Sequence, residues 1–182
     1  MDPRLSTVRL RVRGYHLDGY GHVNNARYLE FLEEGRWGYF DDRPALARRL
    51  TRGDVAFVAV NLNIDYREAA VAGDDLEVRT RLSALGGRSA KMAQEIRRVR
   101  DDALVSAATI TFVLLDTKRN QAVSIEGEIR EQLEPLLMAK GGIPHLPLHC
   151  PGWYDGALSW RPRPRRRGRP TSCSAKDSTT HG

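Results

Sequence analysis

From Thr7 to Arg13 apolar and charged residues alternate, Val8, Leu10 and Val12 against Arg9, Arg11 and Arg13. That period of two predicts a half-buried strand. The next stretch, Gly14-Tyr15-His16-Leu17-Asp18-Gly19-Tyr20-Gly21, carries three glycines and reads as a loop. From about Asn25 the period lengthens: Tyr28, Leu29, Leu32, Gly35, Arg36 and Tyr39 recur at helical spacing, with Glu30, Glu33 and Glu34 among them. Asn24 or Asn25 supplies an N-cap. The helix stops near Asp41-Asp42-Arg43-Pro44, because proline disfavours helical backbone in the residue before it. Residues 45–52 predict a short second helix ending at Gly53.

Four strand-like runs follow. Val58, Val60, Leu62, Ile64 and Tyr66 alternate with Ala59, Asn61, Asn63 and Asp65. Leu76, Val78, Thr80 and Leu82 alternate with Glu77, Arg79 and Arg81. Between Ser89 and Val99, Ala90, Met92 and Ile96 share one face, and Lys91 and Glu95 the other. Leu104 to Leu115 is apolar on both faces, which suits a central strand. Turns at Leu85-Gly86-Gly87 and Arg100-Asp101-Asp102 join hairpins, and residues 126–138 predict a last short helix. One helix of roughly four turns cannot cover two sheet faces. The order therefore predicts an α+β fold in which one curved antiparallel sheet wraps around the long central helix. The other sheet face is left open for dimerisation.

Charge changes the picture only once it is located. The chain of 182 residues has a net charge of +6. Residues 141–182 hold six arginines and Lys176 against Asp155 and Asp177, a net +5, so residues 1–140 carry only +1. The expected division is a folded domain over 1–140 and a basic extension over 141–182, rich in Pro, Gly and Arg. That extension is expected to be mostly disordered, with Trp153, Tyr154 and Trp160 available to dock. No RNP, zinc-finger or helix-turn-helix signature accompanies the Arg run, so a nucleic-acid partner is not expected. Cys150 and Cys173 lack CxxC spacing and a neighbouring His cluster, which argues against a zinc site. MDPRLSTVRL lacks the apolar core of a secretory signal, and no apolar run approaches the roughly 20 residues of a membrane span. The expected compartment is the cytoplasm.

The candidate chemistry lies in Asp18-Gly19-Tyr20-Gly21-His22-Val23-Asn24-Asn25-Ala26-Arg27-Tyr28. A carboxylate precedes a glycine-permitted turn and the start of a helix. The first turn of a helix leaves N–H groups unpaired and favours negative charge. A thioester carbonyl docked there would have its developing oxyanion stabilised. Asp18 would act on it as general base for water, or as nucleophile.

The pattern D-x-x-G-x-V-x-x-x-x-Y, filled by Asp18, Gly21, Val23 and Tyr28, resembles the signature of the 4-hydroxybenzoyl-CoA thioesterase family. The run Tyr28 to Arg36 is similar to that family's central helix. Ile64-Asp65-Tyr66-Arg67, Gly73 to Val78 and Gly86 to Ile96 resemble its following strands, so the resemblance covers about residues 7–135. It implies a hotdog fold, a homodimer or homotetramer with sites between protomers, and hydrolysis of acyl-CoA. It implies no metal or redox cofactor; CoA enters only as part of the substrate. Asp18 takes the position of the catalytic aspartate, and Asn25 the helix-start position whose N–H polarises the carbonyl. Arg88 and Ser89 sit where the family lets pantetheine pass. Tyr20, Tyr28 and Glu34 complete the substrate-binding expectation, and His22 joins Asp18 and Asn25 as a catalytic candidate.

Asp18 to Asn25 is also similar to the acyl-ACP thioesterase version, D-x-N-x-H-V-N-N, but Tyr20 stands where that branch has Asn. Ala69, with Glu68 adjacent, stands near its further acidic residue. A hotdog hydratase would show D-x-x-x-x-H, and here Asp18 and His22 are one residue closer. A further alternative is a non-catalytic acyl-CoA-binding domain whose basic tail contacts nucleic acid.

Overall fold

A computed structural model describes residues 2–138 apart from 52 and 54. The expected extension, with both cysteines and its aromatic residues, lies outside the described residues. Strand β1 (Leu5–Arg11) is followed by a 3-10 turn (Gly14–His16), helix α1 (Asn25–Asp41) and helix α2 (Pro44–Thr51). Then come β2 (Val55–Tyr66), β3 (Asp75–Leu85), β4 (Ser89–Arg98), β5 (Ala103–Asp116), β6 (Gln121–Val123) and α3 (Gly127–Leu133). A second 3-10 turn covers Glu134–Leu136. The sheet runs β1-β3-β4-β5-β2, with β6 also on β5, and every neighbouring pair is antiparallel. Among the described residues, no helix is long and apolar enough to cross a membrane.

The two expected hairpins join β3 to β4 and β4 to β5, and β5 has neighbours on both sides, as its two apolar faces require. The expected helix starts and stops also hold. Asn24 is the N-cap, its side chain accepting from the Ala26 N–H at 2.9 Å. The final helix is shorter than 126–138 and tightens into the second 3-10 turn. Strand β6 had no counterpart in the sequence pattern.

One face assignment needs correction. Val58 and Val60 do not share a face with Leu62, Ile64 and Tyr66. A β-bulge between Ala59 and Asn61 inserts one residue, so Val60 has no partner across the ladder and is 56% exposed. Before the bulge Val55 and Phe57 face the core; after it Leu62, Ile64 and Tyr66 do. A period-two reading run straight through one inserted residue inverts everything on one side of it.

Helix α1 buries Tyr28, Phe31, Leu32, Gly35 and Tyr39. It lies close to the sheet because two glycines face it. A Cβ on Gly35 would come within 2.5 Å of Val78 Cγ1, and one on Gly38 would run into the Val8 side chain. Gln94, fully buried, donates from Nε2 to the Leu32 carbonyl at 2.8 Å and to Thr80 Oγ1 at 2.9 Å, and accepts from Arg36 at 3.0 Å. This polar belt lies between two apolar clusters, one around Tyr28, Leu32 and Ile96, the other around Tyr39, Met92 and Phe112.

Candidate active site

The loop that carries Asp18 closes as a small hairpin. Leu17 and Val23 form an isolated antiparallel bridge, and the Asp18 N–H donates to the His22 carbonyl at 2.8 Å. The turn passes through Gly21 at φ +81°, a backbone conformation that disfavours other residues. Asp18 thus lies across from His22, two residues before the N-cap of α1. Its Oδ1 accepts from the Tyr20 N–H at 2.8 Å and the His22 N–H at 3.3 Å. Its Oδ2 accepts no hydrogen bond among the described residues. One oxygen therefore fixes the carboxylate to its own loop and the other stays open.

The start of α1 is equally unfinished. The Ala26 N–H goes to the Asn24 side chain, and the Arg27 N–H to the Asn24 carbonyl at 2.9 Å. The Asn25 N–H has no acceptor among the described residues, at the end of the helix where the dipole is positive. The Tyr66 hydroxyl donates to the Asn25 carbonyl at 3.1 Å, tying the last residue of β2 to this turn.

The whole corner hangs on the β2–β3 connection. The Val23 N–H donates to the Ala70 carbonyl at 2.9 Å. Arg98 holds that connection: NH1 donates to the Ala69 carbonyl at 3.1 Å, NH2 meets Glu68 at 2.7 Å, and Nε meets Asp101 at 3.0 Å. These carboxylates raise the Arg98 pKa, and Arg98 holds Asp101 below its ordinary range. Buried Asp74 adds a second clamp, bonded to Arg100 at 2.6 Å and to the Val71 N–H at 3.1 Å. Tyr66, Ala70 and Arg98 escaped the sequence reading. The sequence pattern marks Tyr66 only as a strand residue and the other two not as site residues; their roles come from segments that meet only in the folded sheet.

Asp18, Tyr20 and His22 share one hydrogen-bonded loop, and Asn25 begins the helix that follows it. Tyr20 is 76% exposed, and the His22 imidazole makes no hydrogen bond among the described residues. Tyr28 lies just beneath but faces the core, with Tyr66 and Phe31 edge-on at 5.4 and 6.1 Å. Burial pushes its hydroxyl up to about 12. Glu34 is exposed on the far face of α1, nine residues beyond Asn25, or about 13 Å along the helix.

Arg88 and Ser89 are not part of this corner. Ser89 begins β4 and Arg88 directly precedes it, whereas Arg98 at the Asp18 corner ends it, and ten residues of strand span about 30 Å. Sequence order hides this separation, because resemblance assigns roles without assigning distance. Among the described residues, no group of three or more His, Cys, Asp or Glu side chains is placed to hold a metal ion.

The chain is 46% identical over 130 residues to the long-chain acyl-CoA thioesterase FadM of Escherichia coli, covering 71% of this chain and 98% of that protein. It is 33% identical over 122 residues to the acyl-CoA thioesterase YbgC of Haemophilus influenzae, covering 65% and 88%. The crystal structure of the probable thioesterase YbaW from Escherichia coli superposes with a TM-score of 0.68 at 44% identity, covering 73% of this chain and 99% of that one. An antiparallel sheet packed on α1, the likeness to these thioesterases and a match over residues 12–133 agree: this chain belongs to the Thioesterase-like superfamily, with its hotdog fold.

Proposed function

We propose that this protein hydrolyses acyl-CoA thioesters to the free acid and CoA, with Asp18 as the catalytic carboxylate. The observation that supports the reading is that Asp18 leaves Oδ2 open in the loop directly before α1, whose first N–H, at Asn25, is open as well. The thioester carbonyl oxygen seats on the Asn25 amide, which stabilises the oxyanion. Asp18 Oδ2 takes a proton from water as it attacks the carbonyl carbon; the C–S bond then breaks and the CoA thiolate leaves as thiol after protonation. The exposed His22 flanks this path as a polar group. The same reading carries the expectation of a cytoplasmic enzyme.

The separation of Arg88 and Ser89 from Asp18 supports a homodimer. Strand β2 is an edge strand of the sheet path. Tyr66, at one end, touches the Asp18 corner; Val58, near the other, lies in register with Val113 and so with Ser89. Two copies of β2 paired antiparallel about a twofold axis exchange those ends. The partner's 86–89 hairpin then approaches this chain's Asp18, and pantetheine runs between them.

Free thiol released from a panel of acyl-CoA and acyl-ACP substrates tests the activity, and light scattering tests the assembly. Turnover that survives Asp18→Asn at the wild-type rate rules the mechanism out.

A further inference from the structure

His16 lies two residues before Asp18 and is bonded to both arms of the loop. Its N–H donates to the Arg13 carbonyl at 3.0 Å, and its carbonyl accepts from the Asn24 N–H, the N-cap amide, at 2.9 Å. Its ring Nδ1 accepts from the Arg13 N–H at 3.0 Å. The ring sits edge-on to Phe31 of α1 at 5.0 Å, with Tyr15 on its other side at 4.3 Å. One residue thus joins the end of β1, the Asp18 loop and the start of α1. A nitrogen that accepts carries no proton, so this geometry requires the neutral ring with its proton on Nε2.

We propose that His16 is a positioning residue for the Asp18 corner: its unprotonated Nδ1 holds the turn on which Asp18 and the helix start are aimed, and protonation of the ring releases it. A proton on Nδ1 would face the Arg13 N–H donor to donor, and the turn would have to open. The charged groups around the ring are Arg13 on its own turn and Arg27 and Glu30 on α1, the last two paired with each other at 2.7 Å. Burial is the largest influence against protonation; Arg27 and Arg13 add to it, and Glu30 opposes them. The corner therefore keeps its geometry at neutral pH and loses it in acid.

The proposal rests on the hydrolase reading for its kinetic test and on the fold alone for a second one. Steady-state hydrolysis of dodecanoyl-CoA is followed from about pH 5 to pH 9 for wild type, His16→Asn and His16→Phe. Asn offers an acceptor to the Arg13 amide and does not titrate. Phe keeps the ring contact with Phe31 and offers none. The expected result for His16→Phe is a loss of about tenfold in kcat near pH 8 with KM unchanged. His16→Asn should recover kcat to within about threefold of wild type and shed the acid limb expected of wild type below the ordinary histidine range. In parallel, protection of the Arg13 and Asn24 amides against hydrogen exchange should fall on acidification in wild type and stay level in His16→Asn. Wild-type kcat in His16→Phe, an unmoved acid limb in His16→Asn, or protection that ignores the substitution would each overturn the proposal. If wild type turns over no member of the acyl-CoA panel, the hydrolase reading is what has failed, and the exchange measurement decides the role of His16.

Discussion

The two ends of the sheet are held by different forces. At the Asp18 end, two charged side chains and one neutral imidazole grip backbone carbonyls and amides: Arg98 on Ala69, Asp74 on Val71, His16 on Arg13. At the opposite end the grip is apolar. Phe57 stacks on Phe40 at 5.4 Å and meets Phe112 edge-on at 4.8 Å, while Ile125, Ile129 and Leu133 pack against the same cluster. Apolar burial is strong but does not select a direction. Hydrogen bonds to charged groups fix orientation at a modest net gain in stability. A corner proposed to aim a carboxylate at a substrate needs the second kind; an end that only closes the core does well with the first.

Substitutions should separate the two ends. Phe112→Ala empties a site that is 5% exposed and is expected to cost about 3–5 kcal/mol in urea unfolding, with kcat close to wild type while the chain stays folded. Asp18→Asn should do the reverse: kcat drops about 100-fold or more, with an unfolding midpoint near wild type, since the amide oxygen still accepts from Tyr20 and His22. Gly35→Ala tests the seam between the ends. Its Cβ would crowd Val78, Thr80 and Gln94, and a loss of about 1–3 kcal/mol is expected from unfolding curves.

Smaller effects sharpen the contrast. Arg98→Met removes the clamp but leaves Glu68 and Asp101 partly solvated, at 51% and 42% exposure, so about 1–2 kcal/mol is expected. Because Arg98 supports the Ala69–Ala70 connection, kcat should also fall, by roughly tenfold. A stability loss with unchanged kcat would show that this end is no more directional than the other. Acidification should give the gentlest change. The His16 pKa lies below its ordinary value of 6.5, so the folded state resists a proton that the unfolded chain takes up. Stability is full above 6.5 and declines as pH falls through the folded value. Asp101, held below 3.8 chiefly by its Arg98 hydrogen bond, adds the same sign of loss at still lower pH, readable as the urea midpoint against pH.

Local periodicity was enough to find β1, α1 and the strands β2 to β5, because side-chain alternation reports burial on one face. The turn chemistry of residues 86–87 and 100–102 placed the hairpins, and Asp18 with its helix start stood out as a contiguous stretch. Only the tertiary structure decided the rest. The bulge at Val60 is one residue with no composition of its own, yet it reverses the facing of half a strand. Tyr66 and Ala70 at the β2–β3 connection and Arg98 at the end of β4 support the corner from two distant places in the chain, and Arg88 and Ser89 lie a whole strand away from it. Spacing along a chain determines which residues share a face of one element. Which elements meet, and in what register, depends on contacts between residues far apart in sequence, and no local pattern encodes those.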